Sequence, residues 1–326
     1  MAKRKAPPLA IGIVPHLARD EARALALDVV GAAQRSGVSV RIPESDARLV
    51  GLQQWAVPDE TFAEGLSYAF SLGGDGTMLR TDALVSHRHV PVVGFNVGHL
   101  GYLASEQPAD LAAVMRRVLS GDHGIEERLM LSIRITHNDV VVNQFTALND
   151  AVLEKSNAGN TVRLAVSFNG VPFAVYSADG VIVATPTGST AYAFSVRGPI
   201  VSPLMRSLVV VPISPHMLFD RSLVLDASET VRMEVLDGRT ATLFVDGRDE
   251  GQLPEGSVVT CTADSNPARL VTFGPRDFHG ILKAKFGLPG TATTGRDRWL
   301  SDVAPRPPRP DVVVPPARTK RGRHAP

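Results

Sequence analysis

A carboxylate framed by glycines is the first group of residues in this chain that could do chemistry. Gly73-Gly74-Asp75-Gly76-Thr77 follows the apolar stretch 68–72, which reads as a short buried strand running into a turn. Glycines let the backbone take positive φ and let another molecule come close to the main chain. Met78-Leu79-Arg80 continues as a helix, so the turn ends at a helix N-terminus whose unpaired N–H groups suit a phosphate. Asp75 needs a separate job there. Either it caps the following helix, or it serves a reacting group.

Three further stretches hold more polar groups than a core needs. In Leu148-Asn149-Asp150-Ala151 an amide adjoins a carboxylate between two strands; this is either an Asx turn or a pair of ligand contacts. Ser177-Ala178-Asp179-Gly180 and a strand lead into Thr185-Pro186-Thr187-Gly188-Ser189-Thr190-Ala191-Tyr192. So many hydroxyls after a buried strand could bind ribose, phosphate or base edges, or could mark a helix start capped by Ser189 or Thr190. Pro212-Ile213-Ser214-Pro215-His216 holds a histidine between a strand and a rigid turn. The chain lacks a Walker-type phosphate loop, a dinucleotide fingerprint after its first strand, and the nucleophile elbow of α/β-hydrolases. His87 and His89 have no carboxylate motif beside them and read as surface residues, so no metal ligand is assigned.

The elements that position these groups change character partway along the chain. Residues 9–14 form an apolar strand, and Ala22, Leu25, Ala26, Val29, Val30 and Ala33 recur at helical spacing up to Gly37. Residues 38–42 are the next strand, and a β-α-β opening argues for a parallel sheet. The strand before Gly73, a helix over 80–86, a strand over 91–96 ending in Asn96-Val97-Gly98-His99, and an amphipathic helix over 109–119 complete an α/β region, residues 1–125. From 126 to 277 the periodicity is strand-like, with hairpin-type turns at Asn169-Gly170 and Asp237-Gly238. This predicts a β-rich, antiparallel, sandwich-like domain. A closing helix starts at Phe278 and is expected to pack on the first domain, the segment ending at 290. Residues 291–326 are rich in Pro and Arg and carry the basic Lys320-Arg321-Gly322-Arg323, the composition of a disordered tail.

Composition narrows the class. With 326 residues, 44% hydrophobic, 21% charged and a net charge of +1, the chain reads as an ordinary soluble protein with two domains. Outside the tail it shows no basic clustering that would suit nucleic acid. The single cysteine, Cys261, supports no disulfide framework and suits a reducing compartment. No apolar run reaches membrane-spanning length and the N-terminus lacks a signal core, so the expectation is cytoplasmic.

Taken in order, Gly73–Thr77, Asn96, Asn149-Asp150, Thr185–Tyr192 and Ser214-Pro215-His216 resemble NAD kinases over about residues 9–288. The glycine motif alone is shared with diacylglycerol and sphingosine kinases; the Thr185–Tyr192 block is far more specific. The resemblance implies phosphorylation of NAD at the 2′-hydroxyl of its adenosine ribose, with ATP, another nucleoside triphosphate or polyphosphate as donor, Mg²⁺, and a homodimer or homotetramer. It makes Asp75 the catalytic carboxylate and gives Gly73, Gly74, Gly76 and Thr77 to the donor's phosphates, with Asn96 and Arg80 in support. Arg80 is equally readable as a helix-surface side chain. Asn149 and Asp150 would hold NAD, Asp179 would meet it across a subunit interface, and Thr187, Ser189, Tyr192 and Ser195 would line its adenosine end. His216 would approach the pyrophosphate. Four positions depart from the pattern: Asp150 stands for a glutamate, Arg197 for a glycine, His99 for Arg or Asn, and Ser177 is small where some relatives carry arginine, a difference that bears on NADH. The competing readings are a lipid kinase with the same turn and a catalytically silent NAD(P)-binding sensor.

Overall fold

The computed structural model describes residues 9–98, 101–157 and 159–288. The expected tail, the end of the segment 278–290, and His99 lie outside the described residues. The chain divides into one unit up to Ile281 and another from Leu282.

In chain order the elements are β1 (Ala10–Pro15), α1 (Asp20–Arg35), β2 (Ser39–Pro43), α2 (Glu44–Val50), β3 (Ala56–Val57), β4 (Tyr68–Gly73), α3 (Asp75–Val85), β5 (Val92–Asn96), α4 (Leu111–Ser120) and β6 (Gly124–Arg128). There follow β7 (Leu131–His137), β8 (Val140–Ala147), β9 (Asp150–Lys155), β10 (Val162–Phe168), β11 (Val171–Ala178), β12 (Gly180–Ala184), α5 (Tyr192–Ser195), β13 (Ser207–Ile213) and β14 (Leu223–Asp226). The last are β15 (Val231–Val235), β16 (Ala241–Val245), β17 (Arg248–Leu253), β18 (Ser257–Ala263), β19 (Ala268–Thr272) and α6 (Phe278–Phe286).

The first sheet has the order β3-β2-β1-β4-β5-β19-β6, parallel except for β6. Helices cover both of its faces, which is why β1 and β5 are buried along their whole length. On one face α1 and α4 set Leu25, Val29, Val114 and Val118 against Ile11, Phe70 and Val93. On the other, α3 sets Met78 and Val85 against Ala69 and Val92, and Met130 and Leu148 join this cluster from the β-rich part of the chain. Chain order reverses between β1 and β4. An open α/β sheet leaves a crevice beyond its strand C-termini at such a point, and here it lies between residues 16–19 and the glycine turn.

Two antiparallel sheets follow, β11-β10-β15-β18-β7-β8 and β14-β13-β12-β9-β16-β17. They bury a shared core in which Ile133, Leu164, Met233 and Val259 meet Leu153, Val183, Leu243 and Val210. The alternate residues Val152, Ile182, Val209 and Val211 face a second cluster with Ala193 and Val201. The centre of the second of these sheets is thus covered on both sides, which explains its unbroken apolar runs. The α/β region with a parallel sheet and the β-rich antiparallel part are both present as expected. Two strands depart from the expected division: β6 carries the first sheet past residue 125, and Ala268–Thr272, passed over in the periodicity and lying inside the stretch 126–277, pairs with β5 and β6 in that sheet.

Candidate active site

The glycine turn owes its shape to missing side chains rather than to positive φ. None of Gly73, Gly74 and Gly76 has a left-handed backbone, and Gly74 sits at φ −110 and ψ −161. A Cβ on Gly74 or Gly76 would meet nothing within 4 Å, whereas one on Gly73 would lie 2.2 Å from Thr77 Oγ1. Gly74 and Gly76, the two that flank Asp75, therefore leave room for a visitor. Gly74, Gly76, Thr77 and Arg80 line a groove of about 450 Å³ with His16, Leu17, Ala18 and Arg19, the loop after β1. This is the crevice that the strand order requires.

Cations gather around this groove. Arg80 Nη2 donates to the Pro15 carbonyl at 2.5 Å and lies 3.0 Å from Asp46 Oδ2; Arg80 braces β1 against α2 and also lines the groove. Burial pushes the Asp46 carboxyl up to about 6 against the pull of Arg80. Burial, then Arg19 and Arg80, hold the His16 imidazole below its usual pKa. Arg19 Nη1 donates to the Val97 carbonyl, and Val97 N–H donates to Gly73 O at 2.9 Å. His16 and Arg19 were missed in the sequence; the signal available was their place after the first strand of a parallel sheet. Asn96, 3% exposed, ends β5 beside Gly73 with its Oδ1 lacking a partner.

Asp75 does not cap its helix. The N-cap is Gly74, and the Asp75 carboxylate turns to the next loop, where Oδ2 accepts Tyr102 N–H at 2.8 Å and Oδ1 accepts Leu103 N–H at 2.9 Å. Two donors fix the direction of a carboxylate yet occupy only half of its lone-pair sites. Gly101 makes the approach possible, since a Cβ there would stand 2.1 Å from Oδ1. Gly101 and Tyr102 in turn line a cavity of about 500 Å³.

A further cavity of about 410 Å³ lies where α3 meets the antiparallel part, lined by Leu79, Asn149, Asp150, Tyr192, Phe244 and Asp246 among others. Its organiser is Asp246, in a hairpin turn with Gly247 that the sequence reading overlooked although it carries the same Asp-Gly signal as Asp237-Gly238. Asp246 Oδ2 accepts Leu148 N–H at 2.9 Å, and Oδ1 accepts the N–H groups of Asn149 at 2.7 Å and Asp150 at 3.1 Å. Asp150 is 3% exposed with Oδ2 unpartnered, and burial followed by the Asp246 charge pushes its carboxyl up to about 7. Tyr192 donates its hydroxyl to Glu154 Oε1 at 2.7 Å; burial and Glu154 push that phenol up to about 12.

The Thr185–Tyr192 block spends its hydroxyls on protein partners, some within the block and others on neighbouring segments. Thr185 Oγ1 donates to Leu148 O at 2.5 Å and accepts Gly188 N–H at 3.1 Å. Ser189, fully buried, contacts Pro186 O at 2.7 Å and accepts Val201 N–H at 3.0 Å. Thr187 Oγ1 accepts Arg128 Nη1 at 3.3 Å. Neither Ser189 nor Thr190 caps a helix, for α5 begins after Ala191 without a side-chain cap. Ser195 stands apart, in a groove of about 740 Å³ with Arg197 and Ser214; Arg197 holds φ +66, the geometry for which a glycine is suited. Asp179 pairs with Lys155 Nζ at 2.5 Å. His216 is exposed, its N–H donating to Ser177 O at 2.8 Å. The structure thus gathers Asn149, Asp150 and Tyr192 around one cavity and Gly74, Gly76, Thr77 and Arg80 around another. It leaves Ser195 and His216 outside both.

Comparison with known proteins covers both halves of this arrangement. Residues 11–123 match the family model described as ATP-NAD kinase N-terminal domain, and residues 148–273 match the ATP-NAD kinase C-terminal domain. The chain is 36% identical over 291 residues to the NAD kinase of Leifsonia xyli subsp. xyli, covering 89% of this chain and 90% of the relative. It is 34% identical over 311 residues to the NAD kinase of Mycobacterium leprae, covering 91% and 100%. Among solved structures, yeast NADH kinase complexed with NADH superposes with a TM-score of 0.80 at 24% identity, covering 88% of this chain and 90% of that one. An NAD kinase from Archaeoglobus fulgidus in complex with ATP gives 0.65 at 22% identity, covering 87% and 100%. At these identities the two structures speak for the fold.

Proposed function

The chain belongs to the NAD kinase family and is an enzyme of that kind, and on this premise we propose how its residues share the work. The reaction is transfer of a phosphoryl group from ATP to the 2′-hydroxyl of the adenosine ribose of NAD. The observation that carries the assignment is the Asp75 carboxylate, held by the Tyr102 and Leu103 amides between glycines that line the groove beside the β1 loop. With family membership shown, the shared glycine turn no longer leaves the lipid-kinase reading open.

Phosphoryl transfer has a loose transition state, so the protein chiefly positions reactants and offsets charge. The ribose hydroxyl is a poor nucleophile while protonated. Asp75, with lone pairs to spare, orients it and takes its proton as the new O–P bond forms and the bond from the γ-phosphorus to the bridging oxygen of the leaving ADP breaks, an effect of about 10²–10⁴-fold in rate. The α3 N-terminus and the Gly74, Gly76 and Thr77 backbone receive the donor's phosphates, with Arg19 and Arg80 offsetting their charge and Asn96 behind them. Asn149, Asp150 and Tyr192 hold NAD in the cavity organised by Asp246. Thr187 and Ser189 shape that site from behind, and Asp179 would meet NAD across a subunit interface, whereas Ser195 and His216 lie outside the cavity. Residues 1–125 thus handle the donor and 126–277 the acceptor.

Mg²⁺ belongs to the same reading. Among the described residues no three His, Cys, Asp or Glu side chains converge on a metal position; in this reading the ion is carried chiefly by the donor's phosphates. The ion would offset phosphate charge. Polyphosphate or another nucleoside triphosphate is the alternative donor. A homodimer or homotetramer is supported by exposed apolar side chains on the edge strand β11, Val171, Phe173 and Val175. No helix among the described residues is long and apolar enough to cross a membrane, and the reading places the enzyme in the cytoplasm.

The test is direct. Purified protein with ATP, Mg²⁺ and NAD should yield NADP, read out with an NADP-specific dehydrogenase. Asp75→Asn should keep its fold by circular dichroism and lose at least about two orders of magnitude in kcat. No NADP with any donor would leave the silent-sensor reading standing, and near wild-type turnover in the variant would remove Asp75 from the chemistry.

A further inference from the structure

A buried chain of charged contacts, unused by the mechanism above, runs from the glycine turn to the hydroxyl-rich block. Leu103 is its first link: its N–H donates to Asp75 Oδ1 at 2.9 Å and its carbonyl accepts Arg276 Nη1 at 2.8 Å. Arg276 lies just beyond β19 with its side chain 9% exposed, and its Nε is 3.8 Å from Glu126 Oε1. The same Glu126 oxygen accepts Arg128 Nε at 2.8 Å and Nη2 at 2.5 Å. Arg128, whose side chain is 4% exposed, donates from Nη1 to Thr187 Oγ1 at 3.3 Å. The backbone of one residue, Leu103, and three charged side chains therefore join Asp75 to the block whose Ala191 and Tyr192 line the acceptor cavity.

Two guanidinium groups share one carboxylate here, and burial followed by the Arg128 charge holds Arg276 below its ordinary pKa. Apolar residues of the same volume commonly serve stability as well as a buried ion triad does. What such a triad does supply is geometry, because shifting one charge leaves another buried without its partner. The placement also fits. Glu126 and Arg128 sit on β6 and Arg276 follows β19, adjacent strands at the edge of the first sheet, while Thr187 belongs to the β-rich part.

We propose that Arg276, Glu126 and Arg128 are positioning residues that couple the set of the Thr185–Tyr192 block to the aim of the Asp75 carboxylate, so that the base is aligned when the block is in place. The proposal rests on the reading of Asp75 as the base.

Steady-state kinetics on the full chain with ATP, Mg²⁺ and NAD test it. Arg276→Met keeps the length of the stem and removes the Leu103 contact. Its kcat should fall about tenfold or more with KM for NAD within twofold, and Arg276→Lys should recover part of the loss through its remaining donor. Combined with Thr187→Val, Arg276→Met should cost less than the product of the two single losses, by about fivefold or more. A purely structural role predicts a lower Tm with unchanged kcat per folded molecule; that result, a loss confined to KM, or strictly multiplicative losses would overturn the coupling. Should Arg276→Met fail to fold, Arg276→Lys with Thr187→Val carries the same cycle. Asp75→Asn in parallel separates the failures. An active Asp75→Asn removes the base, whereas an inactive one beside a normal Arg276→Met removes only the coupling.

Discussion

Two glycine-bearing loops shape this site, and they use glycine in opposite ways. At the turn after β4, Gly74 and Gly76 face open space, and their backbone is turned toward the groove. In the Thr185–Tyr192 block, Gly188 is pressed against the chain: a Cβ there would stand 2.1 Å from the Asn149 carbonyl oxygen. The first loop is shaped for a visitor and the second for its own neighbours. The polar side chains follow the same division. Thr185 and Ser189 are consumed in holding the block to Leu148 and Val201, while the Asp75 carboxylate keeps acceptor capacity. Polar density alone therefore does not mark a ligand contact, because a loop crossing the inside of a protein must satisfy its own backbone first.

The contrast can be broken most severely at Gly188. Gly188→Ala forces backbone apart from backbone and should cost about 2–4 kcal/mol in chemical denaturation, with KM for NAD rising. A variant of native stability would mean the block is not locked. Ser189→Ala leaves the buried Val201 N–H without its acceptor and should cost about 1–3 kcal/mol. A loss of NAD affinity at unchanged stability would instead return Ser189 to direct ligand contact.

Asp82 tests the seam between the two regions. It is buried on α3 with Oδ1 unpartnered, and burial followed by the Asp246 charge pushes its carboxyl up to about 7. The sign follows from linkage: with the folded pKa above the unfolded one, the folded protein holds more protons between about pH 4 and 7, so stability falls as pH rises through that window. Asp82→Asn removes this dependence. It should gain about 1–3 kcal/mol on the wild type between pH 5 and pH 8, and parallel denaturation curves at the two pH values would contradict it. Smallest in stability is Gly76→Ala. With helical geometry and free space around it, it should gain about 0.5–1 kcal/mol, while the proposed donor site predicts a fall in kcat/KM for ATP, the methyl group then standing in the groove. Unchanged ATP kinetics would move the donor elsewhere.

Much of the fold was legible because it is local. The periodicity of α1 and the apolar runs of β1, β5, β9 and β12 report burial directly. The strand Ala268–Thr272 was not legible, because its membership in the first sheet depends on partners, β5 and β6, more than a hundred residues earlier. Of the site, Asp75 and its glycines stood out because residue type and spacing are themselves the signal. Asp246, His16 and Arg19 did not, since an Asp-Gly hairpin and a strand-end loop are common and acquire a role only beside the residues they face.

From the sequence alone came the carboxylate at the helix start, the order of the motifs and the change from α/β to β-rich texture, all properties of neighbours along the chain. Only the tertiary structure decided that Asp75 is aimed by the Tyr102 and Leu103 amides and not spent as a cap. It likewise decided that Asp246 gathers three successive amides beside the cavity lined by Asn149 and Asp150 and that the hydroxyl block is tied to the protein around it. Those outcomes depend on which groups burial brings within about 3 Å of one another, and spacing along a chain does not encode that distance.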